Sequence, residues 1–421
     1  MKRRIFALDA AALAILAVMA CSCSTTALKP NEVYLFIGTY TNIGSSPAAN
    51  AAAAPDTSRS LGIYVYALDT VQCQARQISV EPCANPSYVT PIGDGSRVLA
   101  VSEMTNTNAA AKIYSFNAKS GKLKCLGTLL TGGADPCFIT ADPDLKAAYT
   151  ANYTGGSLTQ IELSSRPDQK VDAKDILGFT DSMALKQFGT HWDGHANAKD
   201  SALLPDSIPD SHIHCVTFSP DGNYMFVTDL GKDMIYRFRK NEGNPLGFNI
   251  EAPDGAFSES KGLGPRHFCW SPDGHTLYIA NEIGGSVTVW SYNGGDLAEV
   301  QTIDCTFLGA DKPARNGTAA IQVSPDGKFL YVSNRLVNDG IAVFSIEAGT
   351  GKLTASSYCN TGKHPRCLAL TPGGSLAIVA CRDDDCIEFY KRDPESGALT
   401  IFGKKLRVKR PSSVLSLDLN K

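Results

Sequence analysis

One short turn recurs along the chain and constrains everything else. It reads Gly93-Asp94-Gly95, Asp142-Pro143-Asp144, Ser219-Pro220-Asp221-Gly222, Ser271-Pro272-Asp273-Gly274, Ser324-Pro325-Asp326-Gly327 and Thr371-Pro372-Gly373-Gly374. Matched third positions fall at 94, 144, 221, 273, 326 and 373, so the intervals are 50, 77, 52, 53 and 47 residues. Proline presets the first corner of such a turn and glycine accepts the left-handed exit. β-rich runs follow nearly every turn, first of the kind NYMFVTDL or KFLYVSNR, then MIYRFRK or GIAVFSIE. Each unit therefore reads as a pair of hairpins, four short strands in about 50 residues.

Such a unit is the blade of a β-propeller. Seven blade openings are present, at Pro86-Ser87, Pro136-Cys137, Ile213-His214, Pro265-Arg266, Gly317-Thr318, Pro365-Arg366 and Pro411-Ser412. The last has only a short tail behind it, so VYLFIGTYT and GIYVYALD near the N-terminus must complete its blade. The expectation is an all-β, seven-bladed propeller of four-stranded antiparallel blades over 33–421. Strands from both ends close the ring, which removes edges that would otherwise pair with other chains. Two segments break the pattern: a small-residue loop at 43–60 and an insertion at 164–210. The insertion carries His191-Trp192-Asp193-Gly194-His195 and reads as a polar loop over the channel mouth.

The first 20 residues read as an export signal. Lys2, Arg3 and Arg4 precede an apolar run that is too short to span a bilayer. Val18-Met19-Ala20-Cys21 resembles the bacterial lipobox, which makes Cys21 the expected lipidation site and 21–32 a tether. The expected location is the cell envelope, with the membrane met only through a lipid anchor. Thirty-nine basic and 42 acidic side chains give a net charge of −3, with no basic excess for nucleic acid. Thirteen cysteines include no CxxC pair, so neither a zinc site nor a disulfide framework is indicated. Cys137, Cys215, Cys269 and Cys367 fall in strands and read as small buried hydrophobes. Cys381 and Cys386 bracket a turn across which they could pair.

Aligning the blades yields two columns of residues around the axis. One follows the blade opening: Ser87, Cys137, His214, Arg266, Thr318, Arg366 and Ser412. The other ends the strand after the turn: Tyr40, Ser102-Glu103, Asn152-Tyr153, Asp229-Leu230, Asn281-Glu282, Asn334-Arg335 and Cys381-Arg382. A crowded axis favours small or apolar side chains, yet His214, Arg266, Glu282, Arg335 and Arg366 gather in consecutive blades. Buried charge is costly unless paired. These residues form either a structural ion-pair ring or a site for an anionic ligand, with guanidinium in excess to meet a carboxylate or phosphate. His212, two residues before His214, reads as structural or rim-facing.

VYLFIGTYT, NPSYV, HIHCVTFSPDG, Gly264-Pro265-Arg266-His267, Asn281-Glu282, SPDGKFLYVSNR and RDPESGALT together resemble the seven-bladed lactonase family. That family includes the propeller-type 6-phosphogluconolactonase and the fungal carboxy-muconate lactonising enzyme. The resemblance implies a hydrolase acting on a small anionic lactone, with catalytic His214, Arg266, Glu282 and Arg335. Candidate substrate contacts, beside these four, are His267, Asn281, Asn334, Arg366, Asn152, Tyr40 and Glu103. The resemblance calls for no cofactor and no metal, and the expected state is a monomer. Either His214 or Glu282 would serve as general base, and no GxSxG motif suggests an acyl-enzyme. The alternative is a non-catalytic surface propeller that binds an anionic carbohydrate or a protein.

Overall fold

The computed structural model describes residues 28–41, 59–105, 108–165, 176–179, 186–189, 211–309 and 316–419. The expected lipidation site Cys21, the export signal and the His191–His195 cluster lie outside them.

The repeated turn does what its sequence predicts. In Ser271-Pro272-Asp273-Gly274 the Ser271 hydroxyl donates to Asp273 Oδ1 at 2.5 Å and accepts from Thr276 N at 3.0 Å. Asp273 Oδ1 also accepts from His275 N at 3.0 Å. The turn at Ser324 repeats every one of these bonds with Asp326, Phe329 and Lys328. The side chains thus satisfy the backbone donors that a tight turn would leave open.

Seven antiparallel sheets result, one per repeat. Blade 1 comprises Val89–Ile92, Arg97–Ser102, Ala110–Asn117 and Lys122–Leu130. Blade 2 comprises Pro136–Ala141, Ala147–Asn152 and Ser157–Ser165. Its outer edge comes from Ile176–Phe179 and Lys186–Gly189, both paired to Ser157–Ser165. The segment set apart as an insertion therefore contributes strands to the blade, in addition to whatever it places elsewhere.

Blades 3, 4, 5 and 6 begin with the innermost strands Ile213–Phe218, Pro265–Trp270, Ile321–Val323 and Pro365–Leu370. Blade 7 joins Pro411–Leu417 to Glu32–Thr39, Gly62–Asp69 and Gln74–Pro82, in that order from the axis outward. The ring is closed by strands from both ends of the chain, as the count of openings requires.

Apolar side chains of neighbouring blades fill the wedges between them. Tyr34 and Phe36 of blade 7 meet Val98, Tyr114 and Phe116 of blade 1, with Phe36 edge-on to Phe116 at 4.9 Å. Each such side chain contributes about 1.5–3 kcal/mol by leaving water, so the wedges hold the blades in fixed relation and the axis residues with them.

Candidate functional site

Two backbone features aim side chains at one end of the channel. The first is a bulge at the start of innermost strands. Register shifts between Pro136 and Phe138, Ile213 and Cys215, Pro265 and Phe268, and Pro365 and Cys367. Cys137, His214, Arg266 with His267, and Arg366 sit in these bulges, which re-aim side chains out of strand alternation.

The second feature is a backbone hydrogen bond present in all seven blades. The residue after the second strand donates its N–H to a carbonyl at the blade opening, that of the residue just before the opening in six blades and of Gly317, the first residue of the expected opening, in blade 5. The pairs are Tyr40 to Arg410, Glu103 to Asn85, Tyr153 to Asp135, Leu230 to His212, Glu282 to Gly264, Arg335 to Gly317 and Arg382 to His364, at 2.8–3.1 Å. Seven lip residues are thereby fixed at one level of the channel.

Three of the expected residues, Arg266, Glu282 and Arg335, meet here as a chain of charges. Arg266 Nε lies 2.6 Å from Glu282 Oε2, and Arg335 Nη2 lies 2.9 Å from Glu282 Oε1. Arg266 Nη1 also donates to Ala319 O at 3.0 Å, and Arg335 Nε to Gly317 O at 2.7 Å. Both arginines are buried. Burial alone would raise the Glu282 carboxyl, but the guanidiniums of Arg335 and Arg266 outweigh it and hold it below the usual carboxylate value. Burial lowers Arg335 to about 10, which leaves it charged at neutral pH.

His214 stands beside this chain. Its ring is edge-on to Tyr153 at 5.5 Å and to His267 at 5.1 Å, and Nδ1 is 3.7 Å from Cys137 Sγ. Burial, then the charges of Arg266 and Arg366, push His214 well below its ordinary value, so it is neutral. His267 is neutral for the same reasons, burial first. Its Nε2 has no hydrogen-bond partner among the described residues. It borders a cavity of about 320 Å³ along the axis, also lined by Tyr88, Phe138, Cys215, Cys367 and Ser413.

Across the mouth, Arg366 Nη2 approaches Glu103 Oε2 at 3.8 Å and its guanidinium lies over the Tyr40 ring at 5.3 Å. Tyr40 donates to Glu103 Oε1 at 2.8 Å. Tyr40, Glu103 and Arg366 thus form a second group facing the first.

The expected asparagines lie elsewhere. Asn152 Nδ2 donates to Ser157 Oγ and Thr159 Oγ1, and Asn281 Nδ2 donates to Ser286 Oγ and Thr288 Oγ1. Asn334 Nδ2 donates to Cys305 O at 2.6 Å. All three are buried within their own blades, turned toward the third strand or the chain beyond it. His212 stacks on Tyr153 at 4.6 Å and its Nδ1 lies 2.9 Å from Tyr153 O, at the rim between blades 2 and 3.

Two neighbours of the charge chain were not among the expected site residues: His364 was missed altogether, and Arg382 stood only as a member of the second column. His364 Nε2 is 3.3 Å from Arg335 Nη1, and Arg382 Nη2 is 3.2 Å from His364 Nδ1. The signal was present in a third column, the residue just before each opening, where Gly264 in GPRH becomes His364 in HPR.

Cys381 and Cys386 face each other as Cα partners, with their sulfurs and a Glu388 oxygen within 4.8 Å of one another. Glu388 is already engaged by Lys405 Nζ at 2.6 Å, Tyr390 OH at 2.5 Å and Gly362 N at 2.9 Å, an arrangement that suits a carboxylate anchor better than a metal ligand.

Comparison with known proteins agrees with this architecture. The family described as "Lactonase, 7-bladed beta-propeller" matches residues 34–416. A 6-phosphogluconolactonase of Formosa agariphila is 30% identical over 364 residues, covering 85% of this chain and 96% of that protein. A solved structure from Bacteroides uniformis is 34% identical with a TM-score of 0.76, covering 92% of this chain and 100% of its own. The periplasmic gluconolactonase of Pseudomonas aeruginosa is 26% identical with a TM-score of 0.72, covering 92% and 99%. This chain belongs to the lactonase family of seven-bladed β-propellers.

Proposed function

We propose that the chain hydrolyses a sugar-acid lactone at the channel mouth, in the manner of 6-phosphogluconolactonase. The observation that carries this reading is the Glu282 carboxylate strung between Arg266 and Arg335, with Arg366 facing them. One carboxylate offsets two buried guanidiniums, so the mouth favours an anion and a developing oxyanion.

In the reaction, water attacks the lactone carbonyl carbon. The carbonyl oxygen gains negative charge beside Arg266 and Arg335. His214 takes the proton from water, because the oxygens of Glu282 are already engaged by two cations. When the ring C–O bond breaks, the imidazolium returns that proton to the departing ring oxygen, leaving a hydroxy acid. An anionic group on the substrate, held near Arg366, offsets the charges that depress His214 and so raises its basicity in the complex. Tyr40, Glu103 and His267 are the remaining polar groups within reach of the substrate.

The full chain would be assayed against 6-phosphogluconolactone, gluconolactone and a carboxylated lactone. Turnover that Arg266→Ala loses by about 10²-fold or more supports the reading. Failure on every lactone by folded protein sinks it and shifts weight to a propeller that only binds its anion.

We also infer export with a lipid on Cys21. The support is the lipobox-like Val18-Met19-Ala20-Cys21 and the relation to a periplasmic gluconolactonase. Among the described residues no helix is long and apolar enough to cross a membrane. Loss of membrane association in Cys21→Ser, read by fractionation, tests this; unchanged association removes Cys21 as the anchor.

A further inference from the structure

His364 occupies a backbone position that suits glycine. It precedes Pro365-Arg366 as Gly264 precedes Pro265-Arg266, and both are left-handed, with φ 56° and 66°. Both carbonyls accept the lip residue of their blade, Arg382 N at 3.0 Å and Glu282 N at 2.8 Å. A side chain with Cβ is strained there, whereas glycine is not. Asn85, Asp135 and Arg410 share a left-handed φ just before their own openings, so the conformation belongs to the frame and the role of His364 is read from what its ring touches.

The surroundings of the ring define that role. Burial, then the guanidiniums of Arg335 and Arg382, lower His364 to about 2, so the imidazole is neutral. It then has one N–H and one lone-pair nitrogen. A proton on Nε2 would point at Arg335 Nη1, which can only donate. Nδ1 lies beside Arg382 Nη2 at 3.2 Å, also a donor, but unlike Nε2 it has an acceptor within reach, the Asp383 carboxylate with Oδ2 at 3.4 Å. The network therefore assigns the proton to Nδ1 and leaves the Nε2 lone pair to accept from Arg335 at 3.3 Å. Asp383 is held in place by Arg382, through Nε at 2.7 Å and Nη2 at 3.1 Å.

We propose that His364, oriented by Asp383, is a positioning residue that fixes the Arg335 guanidinium for its work on the substrate carbonyl. Arg335 is held at Nε by Gly317 O, at Nη2 by Glu282, and at Nη1 by His364. Without the imidazole the guanidinium can pivot about the other two contacts. The inference rests on the lactonase reading of the same site.

The test is His364→Gly in the full chain, with kcat and KM measured on whichever lactone the wild type turns over, and melting followed in parallel. The variant should fold, because glycine suits this φ. Its kcat should fall about 10²-fold, the scale of a small misplacement of a catalytic group, with KM changed much less. Free imidazole, which fits the space vacated, should restore part of kcat. Asp383→Asn, on a half-exposed turn, should fold and give a smaller loss of kcat.

Wild-type kcat in His364→Gly overturns the proposal. So does a loss of activity that imidazole does not restore and that Asp383→Asn does not share. A wild type that opens no lactone removes this inference together with the lactonase reading. An active wild type with an unaffected variant removes this inference alone.

Discussion

Arg266 Nε and Glu282 Oε2 are 2.6 Å apart, one within a bulged innermost strand and the other just past the second strand of the same blade. Arg335 reaches the other oxygen of that carboxylate from the next blade. Glu282→Gln keeps the shape but leaves two buried guanidiniums facing each other without a counter-charge. We expect it to lower stability by about 3–5 kcal/mol, and its effect to combine non-additively with Arg266→Met. Denaturant unfolding of the two single variants and the double variant measures this coupling. Additive losses would mean that the two side chains are not coupled in the folded protein.

The histidines of the mouth have a consequence for acid stability. His364 is lowered to about 2 in the folded protein. Below the unfolded value near 6.5 the unfolded chain takes up a proton that the folded chain refuses. Stability is therefore lost as pH falls through that value. His364→Gly removes this loss. Relative to wild type, the variant should gain up to roughly 2 kcal/mol on going from pH 8 to pH 5. Melting of both proteins at the two pH values checks the sign, and an equal or opposite shift refutes it.

Glu259 should behave in the opposite sense. Its carboxylate accepts from Thr288 Oγ1 at 2.8 Å and Trp290 Nε1 at 3.1 Å inside blade 4. Burial raises it to about 7. Between about 4.5 and 7 the folded protein keeps a proton that the unfolded chain has lost, so stability is greatest at low pH and declines as pH rises through 7. Glu259→Gln removes the decline. Relative to wild type it should gain roughly 3 kcal/mol between pH 4 and pH 8, measured by denaturant unfolding at each pH.

Ring closure predicts an abrupt response to truncation. Pro411–Leu417 pairs with Glu32–Thr39 and packs beside Pro365–Leu370. A chain ending at Arg410 would expose the ladder of Glu32–Thr39 and lose the axis residue Ser412. It should aggregate or melt far below the full chain, as seen by size-exclusion chromatography and thermal scans. A monomeric truncated chain with near-normal melting would show that the closing strand is dispensable.

The blade count was readable because its signal is local. Each turn carries its own hydrogen-bonding residues, as Ser271 and Asp273 show, and six such turns mark the repeat without any knowledge of distant contacts. The residues His214, Arg266, Glu282 and Arg335 stood out because they bring charge or imidazole to a crowded axis, where small or apolar side chains are expected.

The asparagines were harder for a physical reason. Asn281 and Glu282 are consecutive, and consecutive strand residues face opposite ways. The Glu282 carboxylate meets Arg266 and Arg335 while the amide of Asn281 is spent on Ser286 and Thr288. The bulges that turn Arg266 and His267 have no sequence mark of their own. His364 was hidden because its importance lies in a contact with Arg335, 29 positions earlier in the sequence.

The hydrogen bond repeated in all seven blades uses only backbone atoms. It places a side chain at the channel lip without asking what that side chain is. Tyrosine, glutamate, leucine and arginine all occupy the same kind of socket here. Mutation can therefore exchange the chemistry presented at one socket while the other six keep their positions, and the ring acts as a standing frame on which new substrate preferences can be tried one residue at a time.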